Sequence, residues 1–92
     1  MALLDGNQID AALAGLPGWT RDGDALACEL ECEDFMDAVA LVGRIAELAE
    51  SQGHHPDLLI HRYRWLRVTL STHSEGGVTE LDVALAREIE AL

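Results

Sequence analysis

Asp57-Leu58-Leu59-Ile60-His61-Arg62-Tyr63-Arg64-Trp65-Leu66-Arg67-Val68-Thr69-Leu70-Ser71-Thr72 is the stretch whose pattern decides the fold. Asp57 to Tyr63 and Trp65 to Thr72 are rich in Leu, Ile, Val and Thr, and they join around Arg62-Tyr63-Arg64, so the stretch reads as a β-hairpin. In its second half Leu66, Val68 and Leu70 face one way while Arg67, Thr69 and Ser71 face the other, the period of two that a strand imposes. One face of the sheet is therefore apolar, and the other is wet or reserved for another use.

Working outward, Ala25 to Cys32 alternates in the same way, with Leu26, Cys28, Leu30 and Cys32 on one side. Both thiols then lie on the buried side of a strand. Four residues apart in a strand, their α-carbons would stand about 13 Å from each other, beyond the roughly 7 Å that a disulfide spans. They read as reduced core residues, and no further ligands nearby support a metal there. Trp19-Thr20-Arg21 is a short strand that turns through Asp22-Gly23-Asp24 into the cysteine strand, giving a first hairpin.

Between the hairpins, from Glu33 to about Ser51, Phe35, Val39, Val42, Ala46 and Ala49 recur at steps of three and four. Leu41, Ile45 and Leu48 widen that face, and Gly53 supplies a C-terminal cap, so this is a long helix. Asn7 to Leu16 places Ile9, Ala12, Leu13 and Leu16 at helical spacing behind Asp5 or Asn7 as a cap, a short helix ending near Gly15. Ser74-Glu75-Gly76-Gly77 is a loop, after which Thr79-x-x-Asp82 forms a capping box. It opens a last helix with Leu81, Leu85 and Ile89 inward. The predicted order is α-β-β-α-β-β-α, an α+β fold with a four-stranded antiparallel sheet and helices packed on one face.

The chain has 92 residues, 49% of them apolar and 25% charged, the balance of one globular domain spanning 1–92 with a packed core. Asp and Glu number 17 against 6 basic residues, all Arg, for a net charge of −11. Nucleic acid and anionic membrane are poor partners for such a surface, since both demand a basic patch. The longest apolar run, Ala38 to Val42, falls far short of the roughly 20 residues of a membrane span. Met1-Ala2-Leu3-Leu4-Asp5 has no basic region before its apolar residues and reaches an acid early, unlike a signal peptide. A cytoplasmic protein is expected.

Of the four histidines, His54 and His55 follow the long helix, His61 falls within a strand, and His73 follows the last strand. Imidazole is the side chain whose unperturbed pKa, about 6.5, suits proton transfer in both directions near neutrality. Glu50 lies one helical turn before His54, where its carboxylate can accept a hydrogen bond from an imidazole. Plainer readings stand beside this one. His-His before Pro is also ordinary loop polarity, Asp82 is accounted for as a capping acid, and His61 reads as a surface residue. Three His and two carboxylates could hold a metal such as zinc, although His-x3-His and Cys-x2-Cys spacings are missing.

The spaced set Glu50-x3-His54-His55-Pro56-x6-Tyr63-x9-His73-x8-Asp82 resembles the signature of the pterin-4a-carbinolamine dehydratases. Leu16-Pro17-Gly18-Trp19, Thr69-Leu70-Ser71-Thr72-His73 and Gly77-Val78-Thr79-Glu80-Leu81-Asp82 agree as well, so the likeness covers most of the chain from residue 16. It implies loss of water from a 4a-hydroxytetrahydropterin to give quinonoid dihydropterin, a hydro-lyase step in pterin recycling without cofactor or metal. It also implies a site in which His54 and His73 transfer protons and His55 binds and orients the small-molecule pterin. Glu50 would hold an imidazole or a ring N–H, Pro56 would set the turn that aims the His pair, and Asp82 would hydrogen-bond in the same pocket. Homo-oligomers are implied too, dimers through the sheet and tetramers through the long helix, which would cover Leu59, Tyr63 and Trp65. The third and fourth strands together run one residue longer than the common family pattern, a difference expected to be absorbed between Arg62 and Trp65. Some relatives are dimerisation cofactors for transcription regulators or assembly factors, so a non-catalytic interaction protein on the same fold is the alternative.

Overall fold

The computed structural model describes residues 2–92. Its elements are α1 (Gly6–Ala14), β1 (Trp19–Asp22), β2 (Ala25–Glu31), α2 (Phe35–Gln52), β3 (Asp57–His61), β4 (Trp65–Leu70) and α3 (Glu80–Glu90), with a 3-10 turn at His73–Glu75. The element order is the one expected. The sheet is antiparallel throughout, in the order β1-β2-β4-β3.

Local chemistry accounts for the boundaries. Asp5 and Gln8 form a reciprocal capping box at the start of α1, and Gly15 ends that helix. Asp34 caps α2 by accepting from Asp37 N–H, so the helix opens two residues later than its apolar pattern suggests. β3 stops at His61, short of the expected Tyr63, because Arg62 and Tyr63 adopt left-handed φ values of 47° and 56° and make the turn themselves. The β3–β4 ladder runs without interruption from Asp57↔Thr69 to His61↔Trp65, so the turn carries whatever length the strands do not. Cys32 N–H donates to the carbonyl of Arg64, tying the end of β2 to that turn (2.8 Å).

Leu66, Val68 and Leu70 are fully buried and meet Leu26 and Cys28 of β2, Ile45 and Ala49 of α2, and Val83, Leu85, Ala86 and Ile89 of α3. Ile9 and Leu16 close the core from the N-terminal side. Both cysteines are buried and unpaired. The long helix is rotated from the expected stripe: Ala38, Ile45 and Ala49 point inward, while Phe35, Val39 and Ala46 stay outside. Alanines at 38 and 49 let the helix approach its neighbours closely, and the bulkier Phe35 and Met36 are left on the far side.

The open face of the sheet carries charge in place of a second layer. His61 Nε2 (2.7 Å) and Arg67 Nη1 (3.2 Å) both meet the carboxylate of Glu29, and Arg67 Nη2 donates to Asp22 Oδ2 at 2.9 Å. All four strands are thereby linked by one row of ionic contacts. Arg64 pairs with Glu31, and Arg62 lies over the Trp65 ring, 5.2 Å from its centroid.

Candidate active site

The end of α2 delivers two histidines to two different environments. Gly53 takes a left-handed φ of 64°, its N–H donates to Glu50 O, and His54 N–H donates to Ala49 O at 3.1 Å. That is the pattern of a helix closed by a left-handed glycine, and it turns the next residue back against the body of the protein. His54 is consequently buried, whereas His55, one residue on, is exposed. Pro56 follows and leads directly into β3.

The partner of His54 comes from α3. Asp82, the third residue of that helix, has 0% of its surface exposed, and its Oδ1 lies 2.6 Å from His54 Nε2. Its Oδ2 accepts from Thr79 N–H (2.9 Å) and from the Thr72 hydroxyl (2.8 Å). A carboxyl group buried so completely needs such compensation, and hydrogen bonds at a helix N-terminus supply it. The capping box read from Thr79-x-x-Asp82 is present, and its acid serves the imidazole at the same time.

Glu50 also holds an imidazole, but that of His55: its Oε2 makes a short contact with His55 Nε2. Both side chains are well exposed, 76% for Glu50 and 64% for His55. His73 sits exposed on the 3-10 turn, immediately after Thr72. Thr72 anchors that turn, pairing with Gly77 and accepting from Glu75 N–H and Gly76 N–H. The structure therefore joins His54 to Asp82 and Glu50 to His55, with His73 one residue from the hydroxyl that supports Asp82. None of the described hydrogen bonds connects these three groups to one another, and the described residues form no enclosed pocket around them. His61 lies apart, on the open sheet face.

Thr72 was not among the residues singled out by sequence. A signal was available: its even position continues the inward series Leu66, Val68, Leu70, so a polar side chain had to be buried and partnered. The arrangement as a whole supplies a fixed, buried imidazole–carboxylate pair and two further imidazoles at the surface, the groups needed to give and take protons.

A small α+β domain with histidines at the ends of its elements and a buried His–Asp pair is the class that fold and site define. The family model for pterin 4 alpha carbinolamine dehydratase matches residues 2–92, and the chain belongs to that family. It is 57% identical over 90 residues to a Mycobacteroides abscessus protein, covering 98% of this chain and 95% of the relative. A Nocardia farcinica protein is 52% identical over 90 residues, with coverage of 98% and 94%. Both bear the name "Putative pterin-4-alpha-carbinolamine dehydratase". Among solved structures, the transcriptional coactivator/pterin dehydratase from Brucella melitensis superposes with a TM-score of 0.90 at 36% identity, covering 97% of this chain and 96% of that one. A pterin dehydratase-like protein identified as a RuBisCO assembly factor in the α-carboxysome shares the fold at a TM-score of 0.63 and 19% identity, covering 79% of this chain and 83% of that one.

Proposed function

We propose that this chain dehydrates a 4a-hydroxytetrahydropterin to quinonoid dihydropterin and water in pterin recycling, and that it does so as a single domain in the cytoplasm. The observation that carries the reading is the buried His54–Asp82 pair, with the exposed His55 next to His54 in the chain and the exposed His73 next to Thr72, whose hydroxyl donates to Asp82. In the reaction the C4a–O bond breaks and the hydroxyl leaves with an added proton. An N–H of the pterin loses its proton, and the electron pair left behind forms the new C=N bond. The balance is redox-neutral and requires only a proton donor and a proton acceptor, each worth roughly 10²- to 10⁴-fold in rate.

His54 and His73 are the proton-transfer pair in this reading, and His55 orients the pterin or its hydroxyl. Asp82 positions His54, Glu50 positions His55, and Pro56 sets the step from the His pair into β3. The test is the decay of a 4a-hydroxytetrahydropterin generated in situ by a hydroxylase, followed by its ultraviolet absorbance. The protein should accelerate the decay, and His73→Ala should lose at least about tenfold of that acceleration. No acceleration by the folded protein would overturn the reading.

A second reading, an interaction role on the same fold, has one observation in its favour. Phe35, Met36 and Val39 form an exposed apolar stripe along α2, with Met36 71% exposed. Self-association into a dimer or tetramer is the use we assign it, compatible with catalysis. Sedimentation of the protein and of Met36→Glu would test this, a single monomeric species for both being the contrary result.

A further inference from the structure

The hydrogen bonds behind Asp82 form a chain with a direction. Thr72 Oγ1 donates to Asp82 Oδ2, and a hydroxyl has only one proton to give. In the 2.8 Å contact between Thr72 Oγ1 and Thr79 Oγ1, Thr72 must therefore accept and Thr79 must donate. Thr79 Oγ1 in turn accepts from Leu81 N–H (3.2 Å), in the first turn of α3. The sequence of donors runs from the Leu81 amide through the Thr79 hydroxyl and the Thr72 hydroxyl to Asp82.

Asp82 Oδ2 thus receives two donors, the Thr72 hydroxyl and the Thr79 amide, and Oδ1 is left facing His54 Nε2. A carboxylate that only accepts must be met by an N–H, so the ring proton of neutral His54 belongs on Nε2. Its Nδ1 then keeps the lone pair. We propose that Thr72 and Thr79 are positioning residues that hold His54 in the Nε2–H tautomer, so that Nδ1 is the atom at which His54 takes a proton. The catalytic part of this inference rests on the dehydratase reading, whereas the tautomer does not.

The geometry gives each threonine a distinct share. Thr72 delivers the donor that orients Oδ2, and Thr79 holds Thr72 in the donating orientation by occupying its acceptor side. Both are buried, so no water competes for either hydroxyl. Without the Thr72 proton, Asp82 Oδ2 keeps the Thr79 amide as its one remaining donor, so the carboxylate is held less firmly against His54 Nε2 and the proton on His54 is less strictly confined to one nitrogen.

The test is two-bond ¹H–¹⁵N correlation NMR of the full-length protein with ¹⁵N-labelled histidine, above the pH at which His54 is protonated. His54 should show a pyrrole-type Nε2 and a pyridine-type Nδ1. An Nδ1–H tautomer in the unmodified protein overturns the inference, whatever any variant does. In Thr72→Val the two nitrogen shifts should move toward each other as the tautomers mix, and kcat should fall about tenfold with KM within twofold. Thr72→Ser, which restores the hydroxyl, should return both signals. A folded Thr72→Val with unchanged nitrogen shifts and unchanged kcat, and only a lower Tm, would show that the threonines merely stabilise the fold and would also overturn it. A protein inactive on the pterin but with the expected tautomer, lost in Thr72→Val and regained in Thr72→Ser, would sink the dehydratase reading and leave the positioning role standing.

Discussion

His61 Nε2 reaches over β4 to lie 2.7 Å from Glu29 Oε2 on β2, two strands away. Burial alone would raise the Glu29 carboxyl, but hydrogen bonds from His61 and Arg67 outweigh it and hold the group below its ordinary value. A value depressed by folding means that the contribution is complete above the unfolded carboxylate range and is lost as pH falls through the lower folded value. Glu29→Gln should cost at most about 1 kcal/mol at pH 7, because the row is partly exposed and salt-screened. Urea unfolding at pH 7 and pH 3 should show the gap between parent and variant closing at the lower pH. An equal gap at both would mean that charge contributes nothing here.

Removing Asp82 should be far more damaging than its short side chain suggests. Asp82→Ala leaves the His54 ring, the Thr72 hydroxyl and the Thr79 amide without their shared acceptor in a buried site. The expected loss is about 3–5 kcal/mol in denaturant unfolding. Asp82→Asn, which keeps one acceptor oxygen, should lose less, and the order of the two variants is the measurement that matters.

The exposed pair should behave in the opposite way. His55→Ala and Glu50→Gln alter side chains that are mostly in solvent, so stability should stay within about 0.5 kcal/mol of the parent. Turnover should nevertheless drop at least about tenfold in His55→Ala if the ring orients the pterin. Thermal unfolding and initial rates on the same samples separate these effects.

The thiols should be silent in the native protein. Burial first, then the Glu90 and Glu29 carboxylates, pushes Cys28 up to about 12, and burial likewise raises Cys32. The thiolate is the reactive form, so a disulfide reagent should label neither residue at pH 8 until denaturant is added. Because the folded value is raised, stability should be complete below the unfolded thiol range and fall by about 1.4 kcal/mol per pH unit above roughly 8.5 on account of Cys28. Rapid labelling of Cys28 without denaturant would contradict its placement on the inner face of β2.

Much of the fold was legible because its signals are local. The alternation of Leu66, Val68 and Leu70, the box from Thr79 to Asp82 and the glycine after α2 each act within a few residues of themselves. The inward side of α2 was less legible: a wide apolar face has a width but no direction, and it is the packing partners that turn Ala38 inward and leave Phe35 outside. The end of β3 was obscured because Arg62 and Tyr63 take left-handed conformations without a glycine to announce them. In the site, the residue types stood out, but their pairing did not. Glu50 bonds to His55 while Asp82 takes His54, a choice made by which imidazole the helix end turns inward.

The Asp82 carboxylate joins stretches of chain that are remote in sequence, 28 residues from His54 and 10 from Thr72. The loop back to His54 must be closed before that contact can be made, at a cost in chain entropy that the packing of α3 has to offset. The imidazole–carboxylate pair therefore exists only while α3 is docked, and Val83, Leu85, Ala86 and Ile89 hold it there as part of the core shared with the sheet. In the proposed reaction, proton transfer at His54 would then depend on the C-terminal helix, since a molecule without a docked α3 offers that imidazole no carboxylate.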